Sequence, residues 1–299
     1  MNKAAVNDVE LEFEVRGTGE PVLLIGPVLA DSLVPLLSER ALAGRYRLIH
    51  YRKRGWGGST HTPGPVSIAD HAADAAALLE HLEVPRAHVA GHSSGGSIAL
   101  QMALDRPDIV HSIVLLEPSL LSLPGAAAFL EEAGPALEAY AAGDAENALA
   151  IFMAAASGLD WETCQAVMEE RIPGATAAAF ADADTFFGIE LPSLLVWPFE
   201  ARSAAGIPQP ALSVLGGETR PLWVEIGELL RSSLPAVEEH RVEGVGHLLH
   251  IQRPEPVARG IARFLGRNAM SASPAVAALR VESRTPPSGA AEAPAPQSR

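Results

Sequence analysis

Apolar and polar positions change period along the first 120 residues. Val9–Val15 alternates strictly with a period of two, which predicts an edge-type strand with one solvated face. Short apolar runs predict further strands at Val22–Ile25, Tyr46–His50, Ala87–Gly91 and Ile113–Leu116. Helical spacing predicts helices at Leu33–Ala43, Ile68–Leu82 and Ser94–Asp105. This alternation predicts an α/β fold with a mostly parallel sheet, flanked by helices and joined by right-handed crossovers.

The pattern changes between residues 119 and 206. This stretch predicts Ala-rich helices near Ala126–Ala142, Ala145–Ala156, Trp161–Arg171 and Ala175–Phe187. Core-type elements resume at Leu212–Leu215, Val224–Leu234, Val237–Val242 and Pro256–Leu265. We therefore expect one α/β core domain from residues 1–118 and 207–266, with a helical insertion at 119–206. Residues 267–299 are rich in Ala, Pro and Ser and are expected to form a disordered tail.

Composition excludes several classes of function. Of the 299 residues, 48% are hydrophobic and 19% charged, which excludes wholesale disorder. The net charge of -14 argues against nucleic acid or an anionic membrane as a partner. Cys164 is the only cysteine, so no intrachain disulfide or cysteine-based zinc site can form. We expect a cytoplasmic protein, because neither a signal peptide nor a membrane span is apparent.

The segment Gly91–Gly95 carries the strongest chemical signal. It reads G-H-S-S-G, matches G-x-S-x-G, follows a predicted strand and precedes a predicted helix. That context predicts a nucleophile elbow that presents Ser93, with glycines where a Cβ would clash. The alternative is an ordinary glycine-rich turn between a strand and a helix.

Serine needs a general base before it can act as a nucleophile. His247 directly follows the last predicted strand, so it is expected at the same edge of the sheet as Ser93. His250, three residues later, is the rival candidate for the base.

Four features, taken in order, resemble the α/β-hydrolase superfamily over roughly residues 9–266. They are Leu24–Val28, Arg54–Ser59, Gly91–Gly95 and Gly246–His247. The resemblance implies an α/β-hydrolase fold, with the helical insertion acting as a cap over the site. It implies a Ser–His–acid triad that needs no metal or cofactor.

The acidic member of the triad departs from the family pattern. Arg220 stands where most members carry Asp, and a cation there would oppose a protonated imidazole. Glu117 follows the strand before the insertion, where haloalkane dehalogenases and zearalenone-opening lactone hydrolases place their acid. Leu116–Leu121 is similar to the latter. Glu117 is the favoured acid, while Glu218 and the absence of any acid remain alternatives.

The resemblance also implies an oxyanion hole built from two backbone amides. Ser94 should supply one, and Val28 the other, because Pro27 has no N–H. Leu29 is the fallback for Val28.

The insertion carries the aromatic residues expected of a cap over an apolar substrate. Trp197 is the candidate for lining the substrate pocket, although core packing can explain any one aromatic side chain. Glu190 and Arg202 are either polar contacts to the substrate or parts of a solvated face.

Together these features predict a serine esterase or lactonase acting on a fairly hydrophobic small molecule through an acyl-enzyme on Ser93. Carbon–carbon bond hydrolysis and cofactor-free peroxidase-type chemistry use the same Ser and His and remain alternatives. A non-catalytic ligand-binding protein on this scaffold is a further alternative, suggested by Arg220. The oligomeric state stays open.

Overall fold

An eight-stranded sheet forms the centre of the computed structural model, which describes residues 1–270. Its strand order is β1-β2-β4-β3-β5-β6-β7-β8. The first two strands run antiparallel to their neighbours, and all the other pairs are parallel. The strands are β1 (Asn2–Val6), β2 (Val9–Arg16), β3 (Glu20–Ile25), β4 (Tyr46–Tyr51), β5 (Ala87–His92), β6 (Val110–Leu116), β7 (Ala211–Gly216) and β8 (Val237–Val242).

The predicted edge strand lies one position inside the sheet. β2 alternates exposed and buried residues as expected, but β1 pairs with it and forms the edge. The tight connection places Val6 opposite Val9 and gives Asn7 a φ of 48°. The sequence analysis missed β1 because only three of its residues are apolar and two of these are alanine.

Helices cover both faces of the sheet and bury two apolar layers, one on each side. The predicted helix at Leu33–Ala43 is instead two short helices. The core helices are α1 (Val34–Leu37), α2 (Arg40–Ala43), α3 (Ile68–His81), α4 (Ser94–Asp105), α12 (Pro221–Ser233), α13 (Leu249–Gln252) and α14 (Pro254–Arg267). In the described part of the chain, no helix is long and apolar enough to cross a membrane.

Residues between β6 and β7 form the helical insertion, called the cap below. Its elements are α5 (Ala126–Ala141), α6 (Ala145–Ser157), α7 (Trp161–Arg171), α8 (Ala175–Ala181), α9 (Ala183–Thr185), a π-helical turn (Phe186–Glu190), α10 (Leu191–Val196) and α11 (Ala201–Ala205). The helix predicted at Ala175–Phe187 is therefore broken, and its end passes into the π-helical turn.

The predicted tail at 267–299 begins too early by at least one residue. Arg267 is the last residue of α14, and its guanidinium pairs with Glu238 on β8. Residues 271–299 of that prediction lie outside the described residues.

Candidate active site

Ser93 occupies the turn between β5 and α4, as the G-x-S-x-G motif predicts. Its backbone has φ 53° and ψ -121°, a strained conformation for a residue with a side chain. A Cβ on Gly91 would lie 2.1 Å from the Gly95 carbonyl oxygen, and one on Gly95 would lie 2.1 Å from the Ile25 carbonyl oxygen. The two flanking glycines are therefore a steric requirement of this turn.

The Ser93 hydroxyl faces a second serine in this structure. Its Oγ lies 3.0 Å from Ser119 Oγ, and among the described residues no hydrogen bond joins it to His247. Ser119 is held in place because its amide donates to the Ser93 carbonyl at 3.0 Å. The Ser93 hydroxyl is therefore paired with Ser119 and not with His247 in this structure. Catalytic hydrogen bonds commonly tighten only when substrate binds.

His247 and Glu117 form a buried pair across the ends of two strands. Nδ1 of His247 donates to Oε2 of Glu117 at 2.7 Å. Oε2 also accepts the Thr219 hydroxyl at 2.9 Å, while Oε1 accepts the Gly216 amide at 2.8 Å. Three donors therefore fix the carboxylate, which is fully buried. Glu117 also has a positive φ of 42°, which is uncommon for a residue with a side chain.

Glu218, the alternative acid, and Arg220, which stands at the usual Asp position, both lie away from His247. Glu218 is exposed, and its backbone amide donates to the Val245 carbonyl. The Arg220 guanidinium pairs with Glu132 on α5. Arg220 therefore has an anionic partner on the cap, and the loop that carries it contributes Thr219 to the carboxylate instead of an Asp. Sequence reasoning missed Thr219.

Trp223 fixes the plane of the His247 imidazole. The two rings stack with centroids 4.0 Å apart and planes 7° apart, and Trp223 Nε1 donates to the Ala156 carbonyl at 3.0 Å. The His247 carbonyl lies 2.9 Å from Nε2 of His92. Sequence analysis missed Trp223, because a tryptophan on the apolar face of a core helix carries no separate signal.

Burial disfavours the charged form of both members of the pair. It lowers the pKa of His247 below the ordinary histidine value and raises the pKa of Glu117. Hydrogen bonds from Gly216 and Thr219 oppose the rise in the pKa of Glu117. The lowered pKa favours the neutral form of the His247 imidazole.

The two amides predicted to form the oxyanion hole have no acceptor within the part of the chain that the structure describes. Among the hydrogen bonds of the described residues, none has the Val28 or Ser94 amide as donor. Ser94 is the first residue of α4, where the helix dipole favours negative charge. Both residues are buried.

The cavity beside Ser93 is narrow, at about 20 Å³. Val28, Ser93 and His247 line it together, under Phe152 and Met153 from α6. The remaining lining residues are Pro27, Leu29, Ser32, His92, Ala156, Leu248 and His250.

A second cavity of about 250 Å³ adjoins the first and shares Leu29 and Ser32 with it. It lies between the core and α8, and Ala178 and Ala179 form part of its wall. Leu29 and Ser32 therefore lie between the two cavities.

Trp197 does not line the cavity beside Ser93. It borders a separate apolar cavity of about 690 Å³, and its Nε1 donates to Gln101 Oε1 at 2.8 Å. Arg202 forms an exposed pair with Glu200. Glu190 is fully buried, so it does not belong to a solvated face.

His250 is the other histidine that the sequence offered as a general base. It is completely buried against His92, with ring centroids 4.0 Å apart, and it lines the small cavity. Neither of its ring nitrogens has a hydrogen-bond partner among the described residues. No carboxylate therefore orients His250 as Glu117 orients His247.

Comparison with known proteins agrees with this architecture. A segment of 116 residues is 37% identical to "Putative carbamate hydrolase RutD" of Azorhizobium caulinodans, covering 39% of this chain and 44% of that protein. The protein of the same name from Caulobacter segnis is 26% identical over 266 residues, or 85% of this chain and 95% of that one. A solved thermophilic esterase from Thermogutta terrifontis superposes with a TM-score of 0.74 at 22% identity, covering 90% of this chain and 100% of that one.

The family model described as "Alpha/beta hydrolase family" matches residues 25–260, which include Ser93, Glu117 and His247. The fold, the order of the strands and this match lead to one assignment. The chain belongs to the alpha/beta hydrolase family.

Proposed function

We propose that the protein is a serine hydrolase that cleaves a carboxylic ester or lactone of a small, uncharged molecule. The observation that carries the proposal is the 2.7 Å bond between His247 and Glu117 beside the strained Ser93 elbow. A ligand-binding scaffold would need neither an oriented imidazole nor a strained serine. Arg220, the feature that favoured a non-catalytic protein, pairs with Glu132 while Glu117 pairs with His247, which supports a catalytic arrangement.

In the proposed first half-reaction, the Ser93 hydroxyl turns from Ser119 towards His247. Nε2 of His247 takes the hydroxyl proton as Oγ bonds to the carbonyl carbon. The former carbonyl oxygen becomes an anion and accepts hydrogen bonds from the Val28 and Ser94 amides. Collapse of this intermediate expels the alkoxide, which takes the proton from His247 and leaves an acyl group on Ser93.

The second half-reaction returns the enzyme to its starting state. Water donates a proton to His247 and attacks the acyl carbon, and the same two amides hold the second oxyanion. Collapse expels Ser93 Oγ, which recovers its proton from His247, and the carboxylic acid is released. Glu117 holds the Nδ1 proton throughout and stabilises the imidazolium formed in each half-reaction.

The lining of the site supports an uncharged substrate. Apolar residues and three histidines line the small cavity beside Ser93, and none of the described residues that line it is Asp, Glu, Lys or Arg. A cavity of about 20 Å³ holds only the reacting carbonyl, so we propose that a longer acyl chain runs past Leu29 and Ser32 into the adjoining cavity of about 250 Å³. Its alanines and Ile172 would contact the chain, whereas Asp31, Arg52 and Asp182 give it a polar side.

Labelling with a fluorophosphonate tests the proposed function. We expect the reagent to add one phosphonyl group to Ser93, located by peptide mass, and the labelled protein to lose turnover of esters and lactones. The substrate panel also includes carbamates, because two similar proteins bear the name carbamate hydrolase. Folded protein that is not labelled and turns over no member of the panel would overturn the proposal. Cleavage of carbamates alone would replace the proposed ester substrate.

A blocking substitution tests the proposed acyl route. Ala178→Trp on α8 should fill the cavity of about 250 Å³ that adjoins the site. It should lower kcat/KM for long-chain esters by about tenfold, while acetate esters are unaffected. Ala177→Trp is the matched control, because Ala177 is also exposed on α8 but lines neither cavity. Equal losses for short and long esters in Ala178→Trp, or equal effects of the two variants, would contradict this route.

The pH dependence should show the lowered pKa of His247. His247 acts as a base only when neutral, so the acid limb of kcat/KM should fall below the ordinary histidine pKa of about 6.5. Trp223→Leu uncovers one face of the ring and should move the limb upwards, because better solvation favours the imidazolium. Steady-state kinetics from about pH 4 to pH 9 compare the acid limb of the wild type with that of Trp223→Leu. A limb that stays in place in Trp223→Leu would contradict its assignment to His247, because the pKa of the buried Glu117 is also raised and its protonation would give an acid limb too.

A further inference from the structure

A buried ion pair contacts the Pro27 carbonyl and the Ser94 hydroxyl, which belong to the segments that carry the two proposed oxyanion amides. Nζ of Lys53 lies 2.8 Å and 2.7 Å from the two carboxylate oxygens of Glu190. The exposed fractions of the two side chains are 2% and 0%. Taking two charges out of water is costly, so such a pair persists only where further hydrogen bonds satisfy it. The other hydrogen-bond partners of Lys53 and Glu190 show which parts of the site the pair holds in place.

The Lys53 ammonium contacts both halves of the oxyanion hole. It donates to the Pro27 carbonyl at 3.2 Å and to Ser94 Oγ at 3.4 Å. The Pro27 carbonyl belongs to the same peptide unit as the Val28 amide. Because a peptide unit is planar, a cation that holds its carbonyl also fixes the direction of its N–H. It also polarises that N–H, which makes it a better donor.

Glu190 completes the arrangement from the cap. Its carboxylate accepts hydrogen bonds from the Ser94 hydroxyl and, at 2.9 Å, from Trp56 Nε1. Glu190 ends the π-helical turn, whereas Lys53, Trp56 and Ser94 all belong to the core domain. Its carboxylate therefore ties the cap to the residue that follows the nucleophile. π-helical turns of this kind occur frequently at functional sites.

We infer that Lys53 and Glu190 are positioning residues that aim the Val28 and Ser94 amides at the oxyanion. The inference rests on the proposed function. Neither residue touches the reacting atoms; each acts through the peptide unit or side chain that it holds. Because Glu190 comes from the cap, the hole is complete only when the π-helical turn is seated against the core. Correct placement of the cap and stabilisation of the transition state are thereby linked.

Substitutions that keep the size of each side chain test this role. Glu190→Gln and Lys53→Met each remove one charge, and Ser94→Ala removes only the hydroxyl link. We expect kcat for an ester to fall about 10- to 100-fold in the first two variants, less than when an oxyanion donor is removed outright, with KM nearly unchanged. Ser94→Ala should lose about tenfold or less. Lys53→Arg should recover part of the rate lost in Lys53→Met, because a cation returns.

A trifluoromethyl ketone provides a readout that a purely structural role would not move. It forms a tetrahedral oxyanion on Ser93, so its Ki should rise by the same factor as kcat/KM falls across the series. Asp74→Asn is the matched control, because it removes the charge of another buried carboxylate, paired with Arg54 in the loop after β4. The control should lose stability in urea unfolding without a change in Ki.

The possible results separate this inference from the proposed function. Wild type that hydrolyses esters, with Ki rising alongside the loss of kcat/KM, supports the inference. If folded Glu190→Gln and Lys53→Met hydrolyse esters as fast as the wild type, the inference is overturned and the proposed function stands. If both charge variants fail to fold, Ser94→Ala decides through the same Ki comparison. Wild type that neither turns over esters nor binds the ketone overturns both.

Discussion

Replacing His247 with alanine is expected to lower kcat by about 10⁵- to 10⁶-fold, the scale seen when the base of a serine triad is removed. Without the imidazole, the Ser93 hydroxyl keeps its proton and has Ser119 as its remaining partner. Stopped-assay measurement of ester turnover gives the loss. KM should change little, because the imidazole acts mainly in the transition state.

Added imidazole should restore part of this activity. The missing ring leaves a flat space against Trp223, which stacks on His247 at 4.0 Å and is itself held by the Ala156 carbonyl. Free imidazole entering that space can accept the Ser93 proton. Rescue by imidazole distinguishes loss of a base from misfolding, which added imidazole would not repair.

His250→Gln decides between the two histidines near the site. His250 lines the small cavity, but its ring nitrogens have no partners among the described residues. A glutamine of similar size should therefore cost at most about tenfold in kcat, mainly through altered packing. A loss in His250→Gln comparable to that in His247→Ala would assign the base to His250 instead.

The elbow was predictable because its chemistry is local. A turn that presents Ser93 between a strand and a helix needs glycine at 91 and 95, and both the spacing and the two neighbouring elements are visible in the sequence. The prediction of α4 at Ser94–Asp105 is confirmed residue for residue for the same reason. The alternating and apolar runs likewise predicted seven of the eight strands.

The surroundings of the site were less predictable, because they depend on contacts between distant segments. Lys53 and Glu190 are 137 positions apart, and nothing in either local sequence shows that they pair. Glu190 alone is indistinguishable from a residue on a solvated helix face. The placement of Trp197 failed similarly, since aromatic character does not reveal which cavity a side chain borders.

Glu117→Gln is expected to lower kcat by about 10³- to 10⁴-fold while leaving the fold intact. The fall in kcat is expected because of the hydrogen-bond donors around the carboxylate. Gly216 offers a backbone N–H that cannot turn away, so the glutamine oxygen must face it. The glutamine NH₂ then takes the place of Oε2 and donates towards His247 Nδ1. Nδ1 must accept, which moves the ring proton to Nε2 and leaves no lone pair there for the Ser93 proton.

The rate of fluorophosphonate labelling of Ser93 and kcat for an ester should fall together in Glu117→Gln, since both need the same tautomer of His247. Glu218→Gln is the matched control, because it makes the same chemical change at an exposed carboxylate and should alter kcat by less than about twofold. If Glu218→Gln caused the larger loss, the acid would have to be reassigned against the 2.7 Å geometry. If neither variant lost activity, His247 would work without a carboxylate, and the three donors around Glu117 would serve only to stabilise its burial.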